Sequence, residues 1–358
     1  MKIVSVIPLK KGILKDDLTY FTTKNVQSGD LVTITLRNTK TLGLVVSAED
    51  VSGAKIDIKE MEFNLKKLID VKGESIFLNE YIESVLLAGK YFASNKSNAI
   101  TASIPAVFRE EYDKISKIKN LSIEKNRDDV KAEKFILQEV FENRISIYKT
   151  LIRENFALKK SVCIVLPTEK DIEIFEEHLS KGITQFIATF HSGFSAKKIL
   201  EKYKEVVSIN HPVLMIITPQ FLSIPRHDIG VVVLEHESST NYRMLSRPYF
   251  DMRVFVEIFA SKINAKLIFS DTILRFETIA RREKDGLLPF HPLSFRINFK
   301  GDIAIENRKL ELMISKQEKT NATFKIFSDK SIEEIESYVK KGRVFIFTLR
   351  KGLATQTV

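Results

Sequence analysis

From residue 135 onward the chain repeats one pattern: a short, mainly apolar run, a polar or proline stop, then a helix-length amphipathic stretch. The runs are 161–166, closed by Pro167; 185–190, followed by His191-Ser192-Gly193; 213–217, closed by Thr218-Pro219; 230–234, followed by Glu235-His236-Glu237; and 265–269. A strand with one face in water alternates apolar and polar residues. The run 161–166 is continuously apolar and does not alternate, so it belongs to a strand covered on both faces, and the other runs read as strands of the same kind of sheet. Between them, 171–179, 196–206 and 253–261 carry helical periodicity, and 135–156 reads as an amphipathic helix ahead of the first run. Strand and helix in alternation specify an α/β fold with a parallel sheet between helices. In such sheets ligands are met at the carboxyl ends of the strands, where the polar clusters after Leu166, Phe190, Ile217, Leu234 and Phe269 fall.

The residues before this region read differently. Short β segments at 2–9, 18–21, 31–36 and 42–46, broken by Ser28-Gly29-Asp30 and a basic turn, indicate a small barrel or curled sheet. Residues 78–92 have helical spacing, and the stretch to Phe108 suits a small helical module, with a winged helix as one form. Residues 111–134, dense in Lys, Asp and Glu, read as a linker or solvated helix. At the other end, a helix near 331–339 and a strand at 343–347 look like the opening of another α/β domain. The expected divisions are 1–70 (β module), 74–112 (helical module), 113–134 (linker), 135–295 (parallel α/β lobe) and 296–358 (start of a second lobe).

Lys and Arg total 56 against 46 Asp and Glu, a formal charge of +10. That surplus favours a polyanionic partner such as nucleic acid. The one cysteine, Cys163, excludes a disulfide framework or a cysteine-based zinc site within the chain. No apolar run approaches the roughly 18 residues of a membrane span. The amino-terminal segment has no small-residue cleavage site, so a soluble, cytoplasmic protein with no membrane partner is expected.

Four places carry a family resemblance. They are the amino-terminal Ile7-Pro8-Leu9, Leu18-Thr19-Tyr20, Gly29-Asp30-Leu31-Val32 and Gly43-Leu44-Val45-Val46; Phe190-His191-Ser192-Gly193-Phe194-Ser195; Glu235-His236-Glu237-Ser238-Ser239 with Arg247-Pro248-Tyr249; and Gly342-Arg343-Val344-Phe345-Ile346-Phe347 with Arg350-Lys351-Gly352. In this order they resemble the primosomal protein N′ (PriA) family, superfamily 2 DNA helicases of replication restart. The resemblance implies a 3′-end DNA-binding β module, a RecA-like helicase lobe 1 at 135–295 and the beginning of helicase lobe 2. It also implies forked, 3′-ended or single-stranded DNA as partner, with replication restart proteins and single-strand binding protein. In the family a cysteine-rich zinc insertion follows the last stretch; this chain has already ended.

The likeness fails where nucleotide chemistry would sit. A phosphate loop needs glycines to cradle phosphates, a lysine for the β/γ oxygens and a Ser or Thr for magnesium. Counting back from Tyr148, the corresponding segment is Glu139-Val140-Phe141-Glu142-Asn143-Arg144-Ile145, with no glycine and with added carboxylates that repel a triphosphate. If His236 takes the place of the acidic box's histidine, the two positions ahead of Glu235 are Val233 and Leu234. A shifted register presents Glu235 and Glu237 instead. Ser270-Asp271-Thr272-Ile273 replaces the family's Ser-Ala-Thr-Pro. The expectation is a helicase fold with a degenerate nucleotide site at Asn143, Arg144, Glu235 and His236, no catalytic residue, no metal and no cofactor. ATP and magnesium enter only if that reading is wrong. The alternatives are an active ATP-dependent 3′–5′ helicase as part of a longer chain, and a non-DNA interaction scaffold.

For DNA binding, the candidates are Tyr20, Arg37, Lys40, Lys66, Ser192 and Gly193. Lysines and arginines of the β module suit terminal phosphates. The resemblance implies a pocket lysine at Lys66 and a backbone contact at Ser192-Gly193. Tyr20 reads first as a core tyrosine and second as a ring offered to a base. Arg243, Arg247, Arg253, Arg281, Arg282, Lys197 and Lys198 supply further positive charge, forming a groove only if they share a face. His191 and His236 with Glu235 and Glu237 could make an acid–base or metal site, or anchor loops by hydrogen bonds.

Overall fold

The computed structural model describes residues 1–10, 12–13, 15–36, 38–50, 65–73, 76–118, 133–292 and 327–346. The chain divides into two compact units, Met1–Arg296 and Ile297–Val358.

The first unit opens with a curled six-stranded sheet: β1 (Lys2–Pro8), β2 (Leu18–Thr22), β3 (Leu31–Leu36), β4 (Thr39–Asp50), β5 (Lys66–Lys67) and β6 (Asp70–Gly73), in the order β5-β2-β1-β4-β3-β6. Val4, Val6, Tyr20, Val32, Ile34 and Val45 fill its interior. The curl closes through the short segment between β5 and β6: Leu68 N–H donates to Phe21 O and Ile69 N–H to Thr33 O, both at 3.0 Å. One segment thus bridges strands that lie apart in the sheet order, which makes the sheet barrel-like. A Cβ at Gly43 would lie 2.4 Å from Val6 Cγ1, so only glycine lets β4 pack this closely on β1.

Four helices follow: α1 (Asn79–Tyr91), α2 (Lys96–Ser103), α3 (Ala106–Glu110) and α4 (Tyr112–Ile115). No hairpin occurs among the described residues of this segment. Tyr81, Ser84, Val85 and Ala88 form a buried stripe on α1 at helical spacing. Asn95 caps α2 by accepting from Asn98 N–H at 2.9 Å. The expected linker is corrected at its start. Tyr112 and Ile115 are buried, so α4 is packed structure rather than solvated chain. Residues 119–132 of that stretch lie outside the described residues.

The lobe contains β7 (Lys134–Gln138), α5 (Phe141–Ala157), β8 (Ser161–Val165), α6 (Glu169–Leu179), β9 (Ile187–Phe190), α7 (Ala196–Ser208), β10 (Leu214–Ile217), β11 (Ile229–Glu235), α8 (Met252–Lys262), β12 (Lys266–Asp271), α9 (Phe276–Lys284) and β13 (Leu288–Pro289). The strands form a seven-stranded sheet, order β13-β7-β12-β11-β8-β10-β9, and every pairing is parallel. The expected α/β fold is present. One expectation fails: 135–138 is a strand, not the start of a helix, and the helix begins at Phe141. Phe135-Ile136-Leu137 is too short to separate a strand from a helical turn by periodicity.

Both faces of the sheet are covered, as the apolar runs required. Along β8, Val162 and Ile164 face the core shared with α5 and α6. Cys163 and Val165 face the core shared with α7, α8 and the amino-terminal helices. That second core is continuous with the outer face of the small barrel through Ile7, Leu9, Leu31 and Leu44. Tyr81 of α1 meets the edges of Phe255 and Phe259 of α8, with centroids 5.6 and 6.0 Å apart. Barrel, helical layer and lobe are therefore packed as one body.

In the second unit, α10 (Asp329–Val339) is capped by Ser328, which accepts from Ser331 N–H at 3.0 Å. The strand expected at 343–347 is not formed over its described residues, 343–346; Phe347 lies outside them.

Candidate functional site

Three parallel strands, β7, β12 and β11, end side by side at Gln138, Asp271 and Glu235. After β7 the chain spends only Glu139 and Val140 before α5 begins, and Val140 caps that helix without a side-chain hydrogen bond. A helix amino terminus facing strand ends is where a phosphate would be held. Here that place is filled from within. Arg144, one turn into α5, is 1% exposed, and Glu235 is fully buried. The guanidinium donates to Glu235 Oε1 from Nε at 2.9 Å, and Nη2 lies 2.8 Å from the same oxygen. Nη1 donates to Thr272 Oγ1 at 2.8 Å and to Glu139 O. Tyr148, one turn further, donates its hydroxyl to Glu235 Oε2 and touches Ser270 Oγ.

Each nitrogen of Arg144 is thus engaged, and both oxygens of Glu235 are engaged. Burial raises the Glu235 carboxyl above its usual range, against the opposing pull of Arg144 and the Tyr148 hydroxyl. Burial and the neighbouring carboxylate hold the Tyr148 phenol well above its usual value. Chemically the cluster is a closed charge pair between the first helix and the acidic strand. Every nitrogen of Arg144 has a partner within the protein, and neither the guanidinium nor the Glu235 carboxylate is exposed.

The other expected members sit around it unequally. Glu235 is the last residue of its strand rather than part of the loop after it. Asn143 faces away, its amide donating to Glu139 Oε2 at 2.9 Å on the exposed side. His236 adopts φ +52°, with ring nitrogens 3.5 Å from Asp171 Oδ1 and 3.6 Å from Glu235 Oε1, outside hydrogen-bond distance. Glu237 is fully buried and held by Arg275 and Thr278, each at 2.6 Å. No metal-ligating cluster occurs among the described residues. Arg275, Thr278 and Tyr242 were not singled out from sequence. The Tyr242 hydroxyl lies 2.6 Å from Glu235 O and 2.9 Å from Val165 O and shares its one proton between these two carbonyls, tying β8 to β11. Nothing in their spacing marks them.

Ser192 and Gly193 form the loop after β9. The Ser192 hydroxyl donates to Glu169 Oε1 at 3.1 Å, and His191 Nδ1 lies 3.5 Å from Glu169 Oε2. Glu169 leans so closely over Gly193 that a Cβ there would lie 2.2 Å from its Oε2. A carboxylate of the chain's own occupies this loop. Of the basic residues, Arg253 is 3% exposed and clamps Asp251 and Glu237 O, so it is structural. Arg281 pairs with Glu257 and Asp285.

In the β module, Tyr20 is 3% exposed and donates to Thr35 O at 3.0 Å across the barrel. Its ring belongs to the core and has no face to offer a base; burial raises its phenol. Lys66 pairs with Tyr20, and Lys40 pairs with Thr35. Both lysines are exposed, Lys66 on β5 and Lys40 on β4, each opposite one of the two residues that this hydrogen bond joins, so they border one level of the barrel. Arg37 lies outside the described residues.

Two curated proteins match over 261 residues, 69% of this chain, at 24% identity: replication restart protein PriA from Helicobacter pylori strain 26695 and from strain J99. The chain is PriA-like. The matched segment spans 39% of the length of those PriA proteins. The resemblance to PriA read from the sequence therefore stands. The crystal structure of the UvsW helicase from bacteriophage T4 aligns with 51% of this chain and 67% of its own, at 15% identity. The TM-score of that alignment is 0.32. No protein-family profile matches. No helix among the described residues is long and apolar enough to cross a membrane.

Proposed function

We propose that this PriA-like chain is a cytoplasmic protein that binds forked, 3′-ended or single-stranded DNA in replication restart, and that it does so without hydrolysing ATP. The observation that carries the second half is the Arg144–Glu235 pair. A motor needs a cation free to meet the β/γ phosphates and a carboxylate free to hold magnesium. Here the residues at those places satisfy each other inside the protein. Opening the pair would leave a buried charge unpartnered, a cost of about 3–5 kcal/mol. Nucleotide binding would have to offset that before contributing anything.

The first half rests on the likeness to PriA, on the charge of +10, and on the exposed pair Lys40 and Lys66 at one level of the small barrel. Ser192 and Gly193 supply a second contact once Glu169 is displaced by a phosphate. Restart proteins and single-strand binding protein are proposed as partners by the same likeness.

The test is an anisotropy titration of forked against blunt DNA, at several salt concentrations, with and without ATP. Tighter binding to the fork, a log–log salt slope of several units and no effect of ATP are expected. ATP turnover above background would restore the reading of an active helicase in a longer chain. Affinity that does not change with salt would leave only the scaffold reading. Lys66→Glu is expected to weaken binding to 3′-ended strands; unchanged binding would remove Lys66 from the contact.

A further inference from the structure

A cavity of about 370 Å³ opens between α2–α3 of the helical layer and the loop that leads from β9 into α7. Its size falls in the range of small-molecule sites, roughly 300–1,000 Å³. Most of the wall is apolar, from Ile104, Val107, Phe194, Phe221 and Met244. The polar groups in it are unusual. Thr101 is 2% exposed, and its hydroxyl has no hydrogen-bond partner. Arg109 also lines the cavity, with its Nε unpartnered and no ion pair to any described residue. Elsewhere in the lobe the buried arginines Arg144, Arg226 and Arg253 each hold a carboxylate. A buried polar group left unpaired costs about 1–3 kcal/mol, so two in one cavity mark a place made for something else.

Around Phe194, one of the lining residues, the chemistry changes. Lys198 lies 3.7 Å from the centroid of the Phe194 ring, and Lys202 lies 5.5 Å from it. The loop feeds the amino terminus of α7, whose N-cap is Ser195. Cations and a helix amino terminus sit outside, and an apolar chamber with two unpaired donors lies within. That order matches one nucleotide of an extended strand, with phosphates at the surface and a flat base carrying hydrogen-bond acceptors inside.

We propose that this cavity takes a single unstacked base of bound single-stranded DNA, with Arg109 and Thr101 as the groups that read it. The inference rests on the DNA-binding reading above and adds a specific subsite to it. A guanidinium pairs best with the two acceptors of guanine, so guanine is the favoured occupant. Burial lowers the Arg109 guanidinium from its usual value, as expected for a cation awaiting a partner.

The experiment uses a single strand carrying, at successive positions, a fluorescent guanine analogue that keeps O6 and N7, with emission and anisotropy read together on the whole chain. Two variants are compared: Arg109→Ala, which removes the reader, and Ala106→Trp. Ala106 is exposed and lines the mouth, so a large side chain there blocks entry without entering the core. The emission change on binding is expected at one position, and is lost in both variants. Anisotropy then reports affinity weakened about tenfold with an unchanged salt slope, because the phosphate contacts persist. A strand that binds without any emission change, or with one that both variants preserve, overturns the base pocket while the DNA reading stands. A strand that does not bind at all overturns both.

Discussion

At the scale of single residues, the decisive contact is between Arg144 and Glu235. Removing one partner of a buried ion pair costs far more than the pair contributes, because the survivor keeps its charge and loses its compensation. Arg144→Ala is therefore expected to destabilise the first unit by about 3–5 kcal/mol. Replacing both, as in Arg144→Met with Glu235→Leu, should recover much of that loss. Urea melts of the two variants check this; equal losses would mean the pair is not the unit of stability. Glu169 makes the opposite kind of contact. It is half exposed, and it places a negative charge on the Ser192 hydroxyl, where a DNA phosphate would have to come. Glu169→Gln is expected to tighten single-strand binding by a few-fold at low salt, with the gain fading as salt rises. An anisotropy titration showing weaker or unchanged binding would separate Glu169 from the DNA path.

At the scale of elements, α8 joins the pieces. Its apolar face carries Phe255, Val256 and Phe259, all fully buried, and α1 lies across it. Phe259→Ala is expected to cost about 3–5 kcal/mol. The loss should appear in barrel and lobe together if they unfold as one body, which hydrogen exchange on β1 and β8 can follow. The sequence made most of these elements readable. Continuous apolar runs such as Val162-Cys163-Ile164-Val165 announce doubly covered strands, and Leu78, Ile82, Val85 and Leu86 announce a helix. What could not be read was where short local preference yields to partners distant in sequence. Phe135-Ile136-Leu137 is a strand because β12 and β13 flank it. Tyr112 and Ile115 are core residues because the α/β lobe lies against them, although the charged residues around them suggest solvent. The site divides in the same way. The missing glycines before Tyr148 were visible in the sequence. That Arg144 would turn inward to meet Glu235 was not, since the two are 91 positions apart.

At the scale of the whole molecule, acid should act through α8. Burial raises the Asp251 carboxyl, but the Arg253 hydrogen bond and charge outweigh it and leave it below the usual range. Burial likewise raises Glu257, and the hydrogen bonds from Arg281 and Lys134 bring it below. A carboxylate whose folded pKa lies below its unfolded value binds its proton less readily in the folded state. It therefore contributes stability that is fully present above the unfolded value, about 4, and is lost as pH falls through the folded one. Asp251 fixes the loop before α8, and Glu257 ties α8 to β7 through Lys134 and to α9 through Arg281. Protonating both frees the helix on which barrel, helical layer and sheet converge. The melting temperature is thus expected to be level from pH 7 to about 5 and to fall steeply below about 4, with barrel and lobe signals moving together. Asp251→Asn with Glu257→Gln should lower the plateau and flatten the fall, since the substituted amides cannot titrate. Thermal melts by circular dichroism across that range test it. An acid limb equally steep in the double variant would place the sensitive groups elsewhere.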